Sequence, residues 1–201
     1  MREAQHLPMK HSFSELAGKK TLIMGNVRTG KTKLTVELLE EAVGLGVSKD
    51  ITIIDMAPRT KMVKGLSIGG RLSEFTATLK DVRYLVPTEV MAPRLEAHSA
   101  KELLSMVRLN VERIRPLIEN YVERPTPVLF INDVSIYLQS GSADPVLAVA
   151  AMAGTFIANG YYGEFFSKDH GTGVSRREGA LMELLASRMD VVIRLDSSNE
   201  P

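Results

Sequence analysis

Residues Gly25 to Lys33, GNVRTGKTK, place two glycines, a lysine and a threonine at spacings suited to binding phosphate. The run Gly25-Asn26-Val27-Arg28-Thr29-Gly30-Lys31-Thr32 matches G-x-x-x-x-G-K-[ST]. The chemistry follows from the residue types. Gly25 and Gly30 permit backbone conformations and close approach that a Cβ obstructs. The N–H groups of the turn can then converge on an anion, and a helix N-terminus behind them adds positive potential. Lys31 suits the β- and γ-phosphates, the Thr32 hydroxyl suits Mg²⁺, and Lys33 carries the run into the first helical turn. The expected ligand is a nucleotide polyphosphate with Mg²⁺.

Phosphate loops need an acid at the end of a neighbouring apolar strand to hold the metal. Two positions qualify. Asp55 ends Ile51–Ile54, and Asp133 follows Val128–Ile131 after Asn132. Asp133 is preferred because its strand is more strongly apolar and ends in a polar pair. One member can face the metal while the other orients an attacking water, so Asn132 and Asp133 join Lys31 as candidate catalytic residues. The tetrapeptide Met-Ala-Pro-Arg occurs twice, at 56–59 and 91–94, each time shortly after a strand candidate. Loops after the strands of an open parallel sheet form the ligand crevice. Arg59 and Arg94 are therefore candidate phosphate or substrate contacts, or members of two unrelated Pro-Arg loops.

The elements that must position these residues alternate. Lys19–Met24 reads as a strand. Leu34, Leu38 and Ala42/Val43 recur at helical spacing up to a stop at Gly44 or Gly46. Ile51–Ile54, Val82–Val86, Val128–Ile131, Thr155–Ala158 and Val191–Leu195 read as further strands. The Gly-rich run 65–71 is a plain connection or a mobile loop over the site. Ser99 and Glu102 form a capping box before an apolar stripe, Leu103, Val107, Val111, Ile114 and Ile118, which Pro116 kinks or divides. Asp144 and Pro145 start a short helix. A second capping box, Ser175 and Glu178, opens a helix carrying Leu181, Leu184 and Leu185. Arg176 and Arg177 sit unfavourably at its positive end, which hints at an anion or acidic partner there. This alternation predicts a three-layer α/β domain with a mainly parallel sheet over residues 19–196. An arm, 1–18, precedes it with Phe13 and Leu16 docked, and a tail, 197–201, follows.

Composition narrows the partners. The chain has 201 residues, 44% hydrophobic and 24% charged, which suits a globular protein with one sizeable core. The formal net charge of +1 provides no global attraction to nucleic acid or anionic membrane. Cysteine is absent, which excludes disulfides and thiolate chemistry and fits a reducing, cytoplasmic setting. No apolar run reaches membrane-spanning length, and the first residues lack a signal-peptide core. With no Trp and 5% aromatics, a base-stacking platform for nucleic acid is not expected.

The loop, the strand order and the later acidic strand resemble the RecA-like branch of P-loop NTPases, which has a further strand between the loop strand and the acidic one. Within that branch the layout is similar to the corrinoid (cob(I)alamin) adenosyltransferases. Ile131–Tyr137 resembles their strand ending in Asp-Glu with Thr and Tyr beyond, and Thr155–Gly160 resembles their next strand. Asn132 stands where that family has its Mg²⁺-linked Asp, and Asp133 where it has Glu. Neutral Asn is a weak ligand for this hard cation. The chain as a whole also resembles a prokaryotic P-loop family of archaeal type. The resemblance implies that the Thr155–Ala158 strand borders the loop strand, bringing Asn159 to the γ-phosphate unless Asn-Gly is simply a turn. The leading expectation is an Mg²⁺-dependent ATPase, since no guanine-specifying Asn-Lys-x-Asp run is present. The alternatives are an adenosyl or phosphoryl transferase with a second substrate, and a nucleotide-binding switch with a protein partner. In a homo-oligomer, Arg176 or Arg177 could reach a neighbouring site.

Overall fold

Short apolar runs, most of them followed by a glycine, an asparagine or an acid, become the strands of one sheet. The structure, a computed structural model, describes residues 11–63 and 66–196. In chain order the elements begin with α1 (Phe13–Leu16), β1 (Lys20–Gly25), α2 (Lys31–Gly44) and β2 (Ile51–Asp55). A hairpin follows, β3 (Lys61–Val63) and β4 (Leu66–Ile68), then β5 (Arg83–Leu85), α3 (Pro93–Glu96) and α4 (Ala100–Glu123). The chain continues through β6 (Val128–Asn132), α5 (Val134–Leu138), α6 (Asp144–Met152), β7 (Thr155–Tyr161), α7 (Val174–Ala186) and β8 (Val191–Leu195).

Six strands form a wholly parallel sheet in the order β5-β2-β6-β7-β1-β8. Strand alternation divides the core into two layers. Leu22, Met24, Leu129, Ile131, Phe156 and Ala158 face α4–α7. Ile23, Ile53, Phe130, Ile157 and Ile193 face α1 and α2. Both faces are covered, which is why the strands read as continuous apolar runs rather than alternating ones. The expected three-layer α/β fold is the observed one, and β7 lies between the loop strand β1 and the acidic strand β6.

Several expectations need correction. β1 runs one residue later than Lys19–Met24. Within the run 65–71, Leu66–Ile68 forms β4, paired antiparallel with β3, while 69–71 is the expected irregular connection; residues 64 and 65 lie outside the described residues. Pro116 does not divide α4, which is one helix of 24 residues whose five predicted apolar positions are all buried. Glu102 caps the N–H of His98 instead of closing a reciprocal box with Ser99. Ala143, not Asp144, is the cap of α6. The box at Ser175 is absent: Gly173, in the left-handed region at φ 77°, caps α7. On that helix the buried positions are Val174, Glu178, Met182, Leu185 and Ala186, while Leu184 is exposed. The docked N-terminal residues are observed, since Phe13 stacks on Phe130 at 6.3 Å and Ser12 caps α1 with Glu15. Residues 1–10 of the arm and 197–201 of the tail lie outside the described residues.

Candidate nucleotide site

Register brings the candidate residues to one edge. Parallel pairing sets Asp55 beside Asn132, Ile131 beside Ala158, and Gly25 beside both Tyr161 and Leu195. The ends of β2, β6, β7 and β1 thus form a row. Gly25 must be glycine there, because a Cβ would collide with the Leu195 carbonyl oxygen and come within 2.8 Å of Thr29 Oγ1.

After Gly25 the chain enters α2 through left-handed residues at Arg28 (φ 63°) and Gly30 (φ 85°). Glycine accepts this conformation freely; arginine does so at a cost of about 1–3 kcal/mol. The loop is braced from inside. The Val27 N–H donates to Asn26 Oδ1 at 2.8 Å, and the Thr29 hydroxyl donates to the Asn26 carbonyl at 3.0 Å. Lys31 Nζ donates to the same carbonyl at 2.5 Å. The next six backbone N–H groups, Arg28 through Lys33, have no acceptor among the described residues; bonding resumes where Leu34 N–H meets Gly30 O at 2.9 Å. A helix start leaves several N–H groups unpaired, and here the loop lengthens that row. Val27–Lys33 line a cleft of about 310 Å³, within the size range of small-molecule sites.

Asp133 forms the facing wall with Asn132, Asn159, Tyr161 and the Ile68–Gly70 end of the hairpin. Asp133 is itself left-handed, at φ 56° and ψ 54°. Its N–H donates to Asn159 Oδ1 at 3.0 Å, and its Oδ1 accepts from the Ser135 hydroxyl at 2.7 Å. The Tyr161 N–H, which donates to Ser135 Oγ at 3.1 Å, also faces this carboxylate, and the Thr32 hydroxyl has no hydrogen-bond partner among the described residues. Burial lowers the Lys31 ammonium to about 8, against the opposing charge of Asp133. Burial likewise raises the Asp133 carboxyl, against Ser135, Lys31 and Arg94.

Asp55 is fully buried and saturated. Oδ1 accepts from Asn132 Nδ2 at 2.8 Å and Ala57 N–H at 3.2 Å, and Oδ2 accepts from Leu72 N–H and the Tyr84 hydroxyl, both at 2.7 Å. It does not line the cleft. Of the two candidate acids, only Asp133 faces the loop. Asn132 and Asn159 do line the cleft, but their amides are occupied. Asn132 Nδ2 also donates to Gly70 O at 3.1 Å, while Asn159 Nδ2 donates to Asn132 Oδ1 and Thr35 Oγ1, each at 2.8 Å. Thr35 donates in turn to Lys31 O at 2.9 Å. One hydrogen-bonded row therefore runs from Tyr84 through Asp55, Asn132 and Asn159 to the first turn of α2. Asn159 lies inside β7, so the Asn-Gly turn reading is overturned.

The repeated Met-Ala-Pro-Arg runs part company. Arg59 is exposed and away from the cleft wall. Arg94 is buried, ion-paired with Glu178 and held against the Tyr161 and Phe166 rings, 5.1 and 4.8 Å from their centroids. Neither Arg176, which is exposed, nor Arg177, which donates to Gly141 O at 2.8 Å, lines the cleft. Exposed His170 donates to the Ala97 carbonyl at 3.1 Å in the tautomer that carries a proton on Nε2. Sequence reasoning missed the Arg94–Glu178 pair, though a charged residue on an otherwise apolar helical stripe (Val174, Glu178, Met182, Leu185) would have signalled it.

The donor set suits Mg²⁺. Thr32 and Asp133 offer hard oxygens across the loop, and this ion keeps most of its shell from water and phosphate. Among the described residues no cluster of three or more His, Cys, Asp or Glu could hold a metal by itself.

No protein-family model matches the chain, and no curated protein does. Among solved structures, the chain is similar to the flagellar accessory protein FlaH from Methanocaldococcus jannaschii, with 13% identity, a TM-score of 0.45, and coverage of 89% of this chain and 71% of that one. At that score and identity the likeness says nothing of function.

Proposed function

We propose that this chain is an Mg²⁺-dependent ATP-binding protein that hydrolyses ATP. The observation that carries the reading is the row of unpaired N–H groups from Arg28 to Lys33, facing Asp133 across the cleft. Such a row at a helix N-terminus binds anions through aligned dipoles and direct hydrogen bonds. In this reading the loop N–H groups from Arg28 to Lys33 cradle the phosphates, with Asn26 and Val27 bracing the loop from inside. Lys31 leaves the Asn26 carbonyl for the β- and γ-oxygens, where an anion restores its proton affinity. Thr32 binds Mg²⁺ directly and Asp133 through water; the ion would neutralise charge developing on the β- and γ-oxygens. Asn132 and Asn159 act from behind. Their amides hold Asp133 and α2 in place, so the duty of orienting the nucleophile falls on Asp133. Catalysis comes from positioning and charge.

The test is phosphate release from MgATP by the parent and by Lys31→Ala. The expected result is steady release that falls at least about 100-fold in the variant. Equal release would contradict the reading. Tight binding without release by the parent would favour a nucleotide-controlled switch, and ADP or tripolyphosphate formed only with an added acceptor would favour a transferase.

A further inference from the structure

The phosphate loop has open space on two sides, and only one of them meets Asp133. On the other side lies a groove of about 530 Å³. It shares Thr29, Gly30 and Lys33 with the nucleotide cleft, but none of the facing wall made by Asp133, the two asparagines and the hairpin. It runs between the start of α2, at Leu34 and Glu37, and the edge strand β8, at Val192 and Leu195, and His11 also lines it. Nothing stands within 4 Å of where a Gly30 side chain would sit, so the loop is uncovered at that point. A third space, of about 360 Å³, borders Gly25 and Asn26, the braced start of the loop, and no residue from Arg28 to Lys33. The groove beside α2 and β8 is thus the one that continues from the row of free N–H groups.

A nucleoside triphosphate carries its charge at one end. With the γ-phosphate and metal between Lys31, Thr32 and Asp133, the uncharged end leaves along the row, past Gly30 and Lys33. The groove suits that end. Its volume falls in the range of small-molecule sites, about 300–1,000 Å³. Leu34 and Leu195 are half-buried and Val192 is 36% exposed, which provides apolar surface. Arg194 is committed elsewhere: it donates to Glu183 at 3.0 and 3.3 Å and lies against the Tyr162 ring. Glu37 is not committed. No hydrogen-bond donor among the described residues reaches its carboxylate, and Lys33 Nζ stands 4.0 Å away on a side chain that is 82% exposed. Such a surface pair holds its members weakly. A carboxylate can only accept hydrogen bonds, and ribose hydroxyls are donors that an acid holds at dinucleotide sites.

We propose that this groove takes the nucleoside half of the nucleotide, with Glu37 accepting the ribose hydroxyls and Leu34, Val192 and Leu195 lying against the base, so that the site selects ribonucleotides over deoxynucleotides. The proposal rests on the reading of the loop as a phosphate site. Lys31, Thr32 and Asp133 then recognise the polyphosphate, and Glu37 recognises the sugar.

Calorimetry with four probes tests the proposal: MgATP, its 2′-deoxy and 3′-deoxy forms, and magnesium tripolyphosphate. The parent is expected to bind ATP at least about 10-fold more tightly than tripolyphosphate or either deoxy form. Glu37→Ala puts the best helix former at a position with no hydrogen bond to lose. It is expected to bind ATP about 10-fold more weakly, to lose the preference over the deoxy forms, and to keep tripolyphosphate affinity within twofold. Unchanged ATP affinity in the variant overturns the proposal, as does an equal loss for ATP and tripolyphosphate. The base is located by photolabelling the parent with 8-azido-ATP and mapping the labelled peptide. Label on α2 or β8 is expected; label on the hairpin or on Tyr162 to Glu164 overturns the proposal. A parent that binds tripolyphosphate as tightly as ATP overturns the groove's role and leaves the phosphate site standing. A parent that binds neither overturns both.

Discussion

Glu178 and Asn159 show how much a single side chain carries in this site. Glu178 sits on the buried face of α7, paired with Arg94 from α3 and near Gln139 and Asp133. Burial outweighs the arginine and pushes its carboxyl from 4.5 up to about 7. The folded state therefore binds more protons than the unfolded one between those values. Stability from this group is fully present below about pH 4.5 and declines as pH rises through about 7. Denaturant titrations at pH 5 and pH 8 are expected to show that decline in the parent, and a flatter dependence in Glu178→Gln. Asn159 bonds β6, Asp133 and α2 at once. Truncating it leaves buried polar partners unpaired, so Asn159→Ala is expected to lose at least about 2 kcal/mol in chemical denaturation. A loss below about 0.5 kcal/mol would mean that the row of amides is slack. Lys31 and Thr32 were legible in the sequence because the motif includes them, and Asp133 because a strongly apolar strand ends in a polar pair there. The occupancy of Asn132 and Asn159 was not, because it depends on the order of strands that lie far apart in the chain.

At the scale of elements, the phosphate loop is held as much by β8 as by its own glycines. Gly25 faces Leu195 across a contact with no room for a methyl group. Gly25→Ala must therefore push β1 and β8 apart or shift the loop. The expected cost is about 1–3 kcal/mol by thermal or chemical denaturation, with weaker nucleotide binding. An unchanged melting temperature would show that the strand pair yields freely. The strands and long helices were legible because burial on both faces of the sheet leaves unmistakable apolar runs, as in Val128–Ile131. The β3–β4 hairpin and α5 were not. Each has five or fewer residues per element, too short for periodicity to show, and each owes its shape to packing around the cleft. The left-handed Asp133 that starts α5 is held both by its local bond to Ser135 and by Asn159 from β7, and only the second depends on the sheet order.

For the molecule as a whole, the sheet order carries the functional logic. With β7 between β1 and β6, the phosphate loop and Asp133 stand one strand apart, separated by the width of the cleft. That spacing sets Lys31 and Asp133 on opposite walls of the cleft, where the proposed function would hold phosphates and a metal. The strand-by-strand alternation visible in the sequence foretold a parallel sheet, whereas the buried pair Arg94–Glu178 arises only when distant segments meet. The most direct test of the account is calorimetric titration of MgATP into the parent and into Lys31→Ala. The account predicts saturable binding by the parent and affinity at least about 100-fold weaker in the folded variant, the loss expected when the loop's phosphate-binding charge is removed. Equal affinities, or no binding by the parent at millimolar ATP, would contradict it.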